Sequence, residues 1–294
     1  MRVVDPHIHL WNLERLRYPW LANPKTSFAG DNSLLAKTYE MAEFAADAEG
    51  VEVLAVVHID AGHDPADPLA ETHWLQSMAD AGGFPQGIVA YADLSAPEVD
   101  VLLAAHAAHR NVRGIRQILN VHANPLFDYG GRHFMREQPW RKGFGLLKKY
   151  ALSFDLQIYP TQMDEAAQLA RAHPETTLIL NHTGMFVDRN SVAGWRQWRD
   201  GLRSLAACPN VGVKISGLGM VDHHWTIESI RPYVLETIDA FGVERSMFAS
   251  NFPVDRLHGG YRAVWEAFAQ VTGDASEAEH AALFRDNAMR IYRL

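Results

Sequence analysis

Short apolar runs separated by helix-length stretches recur eight times along this chain, and this alternation limits its fold more than any other feature. The strand candidates are Arg2–Asp5, Val51–His58, Gly87–Tyr91, Val112–Arg116, Leu152–Gln157, Thr176–Asn181, Val211–Ile215 and Met247–Ala249. Amphipathic segments intervene: Lys37–Glu49, Met163–Ala172 and Ile230–Phe241 set apolar residues such as Leu169 and Val234 at helical spacing. Gly50 follows the first of these, where a glycine cap is expected. Strands alternating with helices predict a parallel α/β sheet. At 294 residues, a single closed (β/α)8 barrel of the TIM type is the natural form, since such barrels take about 250 residues. No linker, repeat or composition shift divides the chain, so residues 1–294 read as one domain. Asn120–Gln138, rich in Asn, His, Gly and Phe, predicts an extended loop after the fourth strand, on the face where such barrels keep their active sites.

The net charge of −8 carries no basic stripe, which argues against a nucleic-acid partner. No apolar run approaches the roughly 20 residues of a membrane span, and the first residues form no signal sequence. Cys208 is the only cysteine, so the chain has no intramolecular disulfide. The expectation is a cytoplasmic enzyme acting on a small molecule, with oligomeric state open and a homodimer among the options.

Polar residues collect at the strand ends. They are Asp5, His7 and His9; His58 and Asp60; Tyr91 and Asp93; Arg116 and Gln117; Asp155 and Gln157; Asn181 and His182; Lys214 and Ser216; and Asn251. Side chains alternate along a strand, so His7 and His9 project the same way. With His182 they offer three nitrogen ligands to a single Zn²⁺ and leave a position for water, the pattern of a catalytic site. Water bound there would lose a proton near neutrality and attack a carbonyl. Arg116 supplies a fixed fork for a substrate carboxylate or an oxyanion, and Lys214 a mobile point charge. The plainer alternative for both is a salt bridge at the barrel mouth. His58 reads either as a site-lining group or as a structural histidine, and His122 as a loop contact to substrate. Trp140 and Trp195, on presumptive loops, are candidate stacking walls for a ring substrate, with loop packing the alternative.

Further motifs join this set: Asp5-Pro6-His7-Ile8-His9-Leu10-Trp11, Gly114-Ile115-Arg116-Gln117, Phe154-Asp155-Leu156-Gln157, Leu180-Asn181-His182-Thr183-Gly184, Val213-Lys214-Ile215-Ser216-Gly217 and Met247-Phe248-Ala249-Ser250-Asn251-Phe252-Pro253-Val254. In this order the chain resembles, nearly end to end, the amidohydrolase superfamily. The likeness is to the amidohydrolase-2 group of TIM-barrel hydrolases, which includes sugar-acid lactonases and 2-pyrone-4,6-dicarboxylate lactonase. The resemblance implies metal-ligand positions for His7, His9 and His182, and lactone hydrolysis as the reaction. Gln157 stands where the wider superfamily has a ligand histidine, and the fourth strand has Arg116 but no lysine for a bridging carbamate; both departures speak against a binuclear centre. Asn251 stands where relatives carry an aspartate that binds metal and serves as base. An amide cannot take a proton at neutral pH, so Asp255 and Asp155 become candidate bases, with Gln157 a substrate contact. Some relatives hydrolyse lactones without metal, so the resemblance admits either mononuclear zinc or a metal-free site. Amide hydrolysis, decarboxylation and metabolite binding without turnover are the alternative readings.

Overall fold

The computed structural model describes residues 1–294. Eight parallel strands form one sheet: β1 (Arg2–Ile8), then, after a small hairpin of β2 (Thr26–Ser27) and β3 (Gly30–Asp31), β4 (Glu52–Ile59), β5 (Gly87–Tyr91), β6 (Val112–Ile118), β7 (Ser153–Gln157), β8 (Leu178–Leu180), β9 (Val211–Ile215) and β10 (Ser246–Phe248). Each of the eight predicted strands is present, and each barrel strand pairs with the next in chain order. The sheet closes just beyond β10, where the His9 amide donates to the Phe252 carbonyl (2.7 Å) and the Asn251 amide to that of His7 (2.9 Å). The result is a TIM barrel ringed by helices, with residues 119–133 running as an irregular loop after β6 before a short turn and the helix Gln138–Phe144.

Inward-facing residues at period two fill the lower barrel: Ala55, Val57 and Ile59 on β4, with Val4, Val89, Ile179 and Met247 from other strands. Ala288 and Tyr292 of the helix Asn287–Tyr292 join this cluster and plug the end of the barrel away from the active-site face. The opposite strand faces pack on the helix ring in a far larger apolar cluster.

Pro6 breaks the alternation of β1. It has no N–H for the ladder, and the pairing with β4 shifts register between Asp5 and Ile8. Asp5 consequently turns into the closing seam, where it accepts the Ser250 amide (3.0 Å) and the Tyr261 hydroxyl (3.0 Å). Burial raises its carboxyl to about 6. Asp5 is thus a seam residue and does not share the position of His7 and His9 at the strand mouth.

Above the apolar plug lies a buried ion pair. Lys214 on β9 donates to Asp155 on β7, to the Pro6 carbonyl (3.1 Å) and to His7 Nδ1 (3.2 Å). The Tyr292 hydroxyl lies 2.9 and 3.0 Å from the two Asp155 oxygens. Replacing Tyr292 with Phe removes this charge-assisted donor in a dry setting and should lower stability by about 1.5–3 kcal/mol in urea denaturation. An unchanged midpoint would show that the hydroxyl contributes nothing to holding the pair.

Candidate active site

A cavity of about 300 Å³ opens at the C-terminal ends of the strands. Arg116, Gln157, His9, His182 and Asn251 supply its polar floor and Ser27 and Asn32 add polar groups above; Trp20, Phe28, Ile118, Tyr129, Met185, Met220 and Val254 form most of its wall.

Arg116 lies near the C-terminal end of β6 and is braced from behind. One terminal nitrogen donates to Gln157 Oε1 (2.9 Å), the other to the Asp60 carbonyl, and Nε lies 3.5 Å from the Asp60 carboxyl. By donor count, one N–H remains on each terminal nitrogen for a ligand. Asp60 is buried, which raises its carboxyl, with Arg116 opposing the rise. Behind it stand Glu71, on the helix Ala70–Gly82, and His58, whose Nε2 is 3.5 Å from Glu71. His58 Nδ1 accepts the Leu10 amide at 3.1 Å and thereby supports the segment carrying His9. His58 is a support and does not line the cavity.

His182 is presented by unusual backbone. It and the next three residues, Thr183, Gly184 and Met185, all have left-handed φ, between 48° and 78°. Each non-glycine residue held there costs about 1–2 kcal/mol. Main-chain bonds from Gly184 to Asn181 and from Met185 to His182, both 2.9 Å, and the Trp198 indole on the Thr183 carbonyl (2.7 Å) hold the turn. His182 Nδ1 meets Ser216 Oγ at 2.9 Å. Gly217 leaves room for the ring, since a Cβ there would lie 2.5 Å from His182 Nδ1. Asn251 also has a left-handed φ, 61°.

All three site imidazoles are held neutral. Burial is the largest cause, reinforced by Lys214 for His7 and by Arg116 for His9 and His182. The bonding partners fix two tautomers. His9 Nδ1 lies 2.7 Å from the Ile59 carbonyl and must donate, leaving a lone pair on Nε2. Lys214 donates to His7 Nδ1, so the His7 proton sits on Nε2, which is buried without a partner. The His9 lone pair faces Asn251 Oδ1 at 3.3 Å, acceptor against acceptor, while Asn251 Nδ2 has no partner. Either a cation between them or a turn of the amide removes this conflict.

A zinc ion does not suit this donor set. The three imidazoles were the expected ligands, but His7 presents a protonated nitrogen, so at most His9 and His182 offer lone pairs, beside neutral amide oxygens. No carboxylate lines the cavity, and the Arg116 guanidinium does. Turning the Asn251 amide so that Nδ2 donates to His9 resolves the contact with groups already present. His182 Nε2 then faces the cavity without a protein partner, and with Ser216 Oγ accepting from Nδ1 it carries the one imidazole lone pair left there.

The other expected site residues fall outside the cavity wall. Lys214 has all three N–H bonds engaged below the floor, and burial lowers its ammonium to about 8 against the pull of Asp155. Asp155 is held by Lys214 and Tyr292 and has no path to substrate. Asp255 is buried behind Asn251, and burial pushes its carboxyl up to about 8 against the opposing effect of Asn251. His122 packs edge-on against Phe127 and Tyr159 and lies 3.6 Å from the Asp188 carboxyl. Trp140 is a core residue: its indole donates to Gln117 (2.8 Å) and its ring stacks on Phe144. Trp195 lies on the helix Val192–Ala206 against Trp198 and Tyr233. The sequence pattern did not point to the wall residues Trp20, Phe28, Met185 and Met220. The turn-forming run Gly30-Asp31-Asn32 was the only local sign of the hairpin that carries Phe28.

Residues 4–294 match the amidohydrolase family. The chain belongs to that family. It is 49% identical over 294 residues to the uncharacterised protein y4mH of Sinorhizobium fredii, covering 99% of this chain and 98% of that protein. It is 28% identical to an L-fucono-1,5-lactonase of Burkholderia multivorans, over 99% and 96% of the two chains. A crystal structure of an amidohydrolase from Burkholderia multivorans with bound zinc superposes over the whole of both chains, with a TM-score of 0.82 at 26% identity. These matches support hydrolase chemistry of the lactonase type on this scaffold.

Asp255 gives a test of the site's electrostatics. Its folded pKa of about 8 exceeds the ordinary 3.8, so the fold favours the protonated acid. Stability is therefore lost as pH rises from the unfolded value toward the folded one. Asp255→Asn, neutral throughout, should be more stable than wild type at pH 7 by about 2 kcal/mol or more, with the gap closing toward pH 4. Activity should stay within about tenfold of wild type, where loss of a general base costs 10²–10⁴-fold. A collapse in turnover with an intact fold would restore Asp255 as the base.

Proposed function

We propose that this protein opens the ring of a lactone, derived from a sugar acid or a carboxylated ring compound, by attack of water without a metal. The observation that carries the reading is one cavity floor holding a guanidinium with free N–H groups beside a neutral imidazole whose Nε2 has no partner in the protein. The cavity, at the small end of the ligand-site range, suits a single ring. Its largely apolar wall accepts the ring's faces, and Arg116 takes its carbonyl or carboxylate oxygens.

In the proposed reaction His182 Nε2 removes a proton from water as the water oxygen bonds to the lactone carbonyl carbon. Arg116 N–H groups stabilise the resulting oxyanion, a contribution of about 3–4 kcal/mol where such donors are preorganised. Collapse of the tetrahedral species breaks the ring C–O bond, and the departing alkoxide takes the proton back from His182. Ser216 holds the ring through Nδ1, and Asn251 binds His9 and borders the substrate without transferring a proton.

His182→Gln should lower kcat by 10²–10⁴-fold, the ordinary range for a general base, with the thermal midpoint nearly unchanged. Because His182 stays neutral far into acid, the acid limb of the wild-type profile should lie below the ordinary histidine value of 6.5. Near-wild-type lactone turnover in the variant would sink the assignment. Prolonged dialysis against a chelator should leave wild-type turnover intact and zinc well below one equivalent by elemental analysis. Activity lost on dialysis and restored by zinc would instead establish a metal centre.

A further inference from the structure

The β2–β3 hairpin forms the upper wall of the cavity yet has little to hold it. Each strand is two residues long, pairing Thr26 with Asp31 and Ser27 with Gly30, and the hairpin joins no other sheet. An isolated ribbon of this size is not stable in water. Even so, Ser27, Phe28, Ala29 and the following Asn32 all line the cavity.

Two histidines from different barrel loops grip its tip. His223, in the loop after β9, lies with Nε2 2.7 Å from the Phe28 carbonyl. His258, in the loop after β10, lies with Nε2 2.6 Å from the Ala29 carbonyl. Carbonyls only accept, so both rings carry a proton on Nε2. The rings stack on each other with centroids 4.2 Å apart and planes 13° from parallel. Neither ring lines the cavity. The same two loops contribute Met220 and Val254 to the wall. Gly30 permits the close approach: its φ is 118°, and a Cβ there would lie 3.2 Å from Leu257 and 3.4 Å from His258. On its other side Phe28 meets Phe127 and Tyr129 from the loop after β6.

We propose that His223 and His258 act as a paired clasp, positioning residues that hold the hairpin over the cavity and so set how tightly the ring substrate is bound. The clasp joins three wall segments, the hairpin tip and the loops after β9 and β10, through two bonds to consecutive carbonyls. The kinetic part rests on reading the cavity as the lactone site; the structural part does not.

The test pairs hydrogen exchange on the free protein with lactone kinetics, in the double variants His223→Ala/His258→Ala and His223→Gln/His258→Gln. With both bonds gone, exchange at residues 26–31 should quicken about tenfold or more while the barrel strands keep wild-type rates. KM should rise about tenfold with kcat within about twofold, the pattern of lost binding without lost chemistry. The glutamine pair, whose amide Nε2 can donate to the same carbonyls, should recover both. Unchanged exchange at residues 26–31 overturns the clasp, whether or not lactones are the substrates. Faster exchange with an unchanged KM overturns the hairpin's part in binding. Should the alanine pair not fold, His223→Ala alone, at the exposed ring, serves the same comparison.

Discussion

The Lys214–Asp155 ion pair is the interaction on which the site rests. Removing two charges from water costs several kcal/mol per ion, and the pair survives only because every remaining donor and acceptor is engaged. Pro6 supplies a carbonyl freed by its own break in the ladder, His7 a ring nitrogen, and Tyr292 a hydroxyl from the far end of the barrel. One buried cation thereby links β1, β7 and β9 to the C-terminal plug. It also settles the His7 proton, and with it what the three histidines can bind. The positive charge at the cavity is left to Arg116.

Histidine clusters invite a metal by their residue types, but tautomers decide whether the invitation holds. His9 and His7 are set in opposite senses, one by the Ile59 carbonyl and the other by Lys214. The backbone carries a related burden. His182 and Asn251 both sit in left-handed conformations that a barrel strand end does not require. Such local cost is retained where the surrounding bonds over-determine it, here the Trp198 indole and the turn around Thr183.

Much of this was legible in the sequence because it depended on short-range pattern. All eight strands show as apolar runs, and β8 shortened only from Thr176–Asn181 to Leu178–Leu180. His182, Arg116, Gln157 and Asn251 at the cavity follow from strand-end position alone. What stayed hidden depended on direction or on long-range contact. The shift at Pro6 sends Asp5 into the seam; Lys214 and Asp155 point down the barrel; a helix starting where the expected loop ends turns Trp140 into the core. The hairpin strands are too short for any periodicity to show, and nothing local reveals that Asp255 is shut away behind Asn251.

The plug at the lower mouth also bears on how the molecule is made. Tyr292 follows every barrel strand in chain order, so Asp155 and Lys214 leave the ribosome long before their last partner. The seam, too, joins residues distant in sequence: His7 with Asn251, and Asp5 with Ser250, 245 positions apart. Until the final helix docks, the nascent barrel is open below and its charged pair is wet. Dehydration of that pair therefore depends on a helix at the opposite end of the barrel from the cavity, which ties the setting of the site to a segment that never touches it.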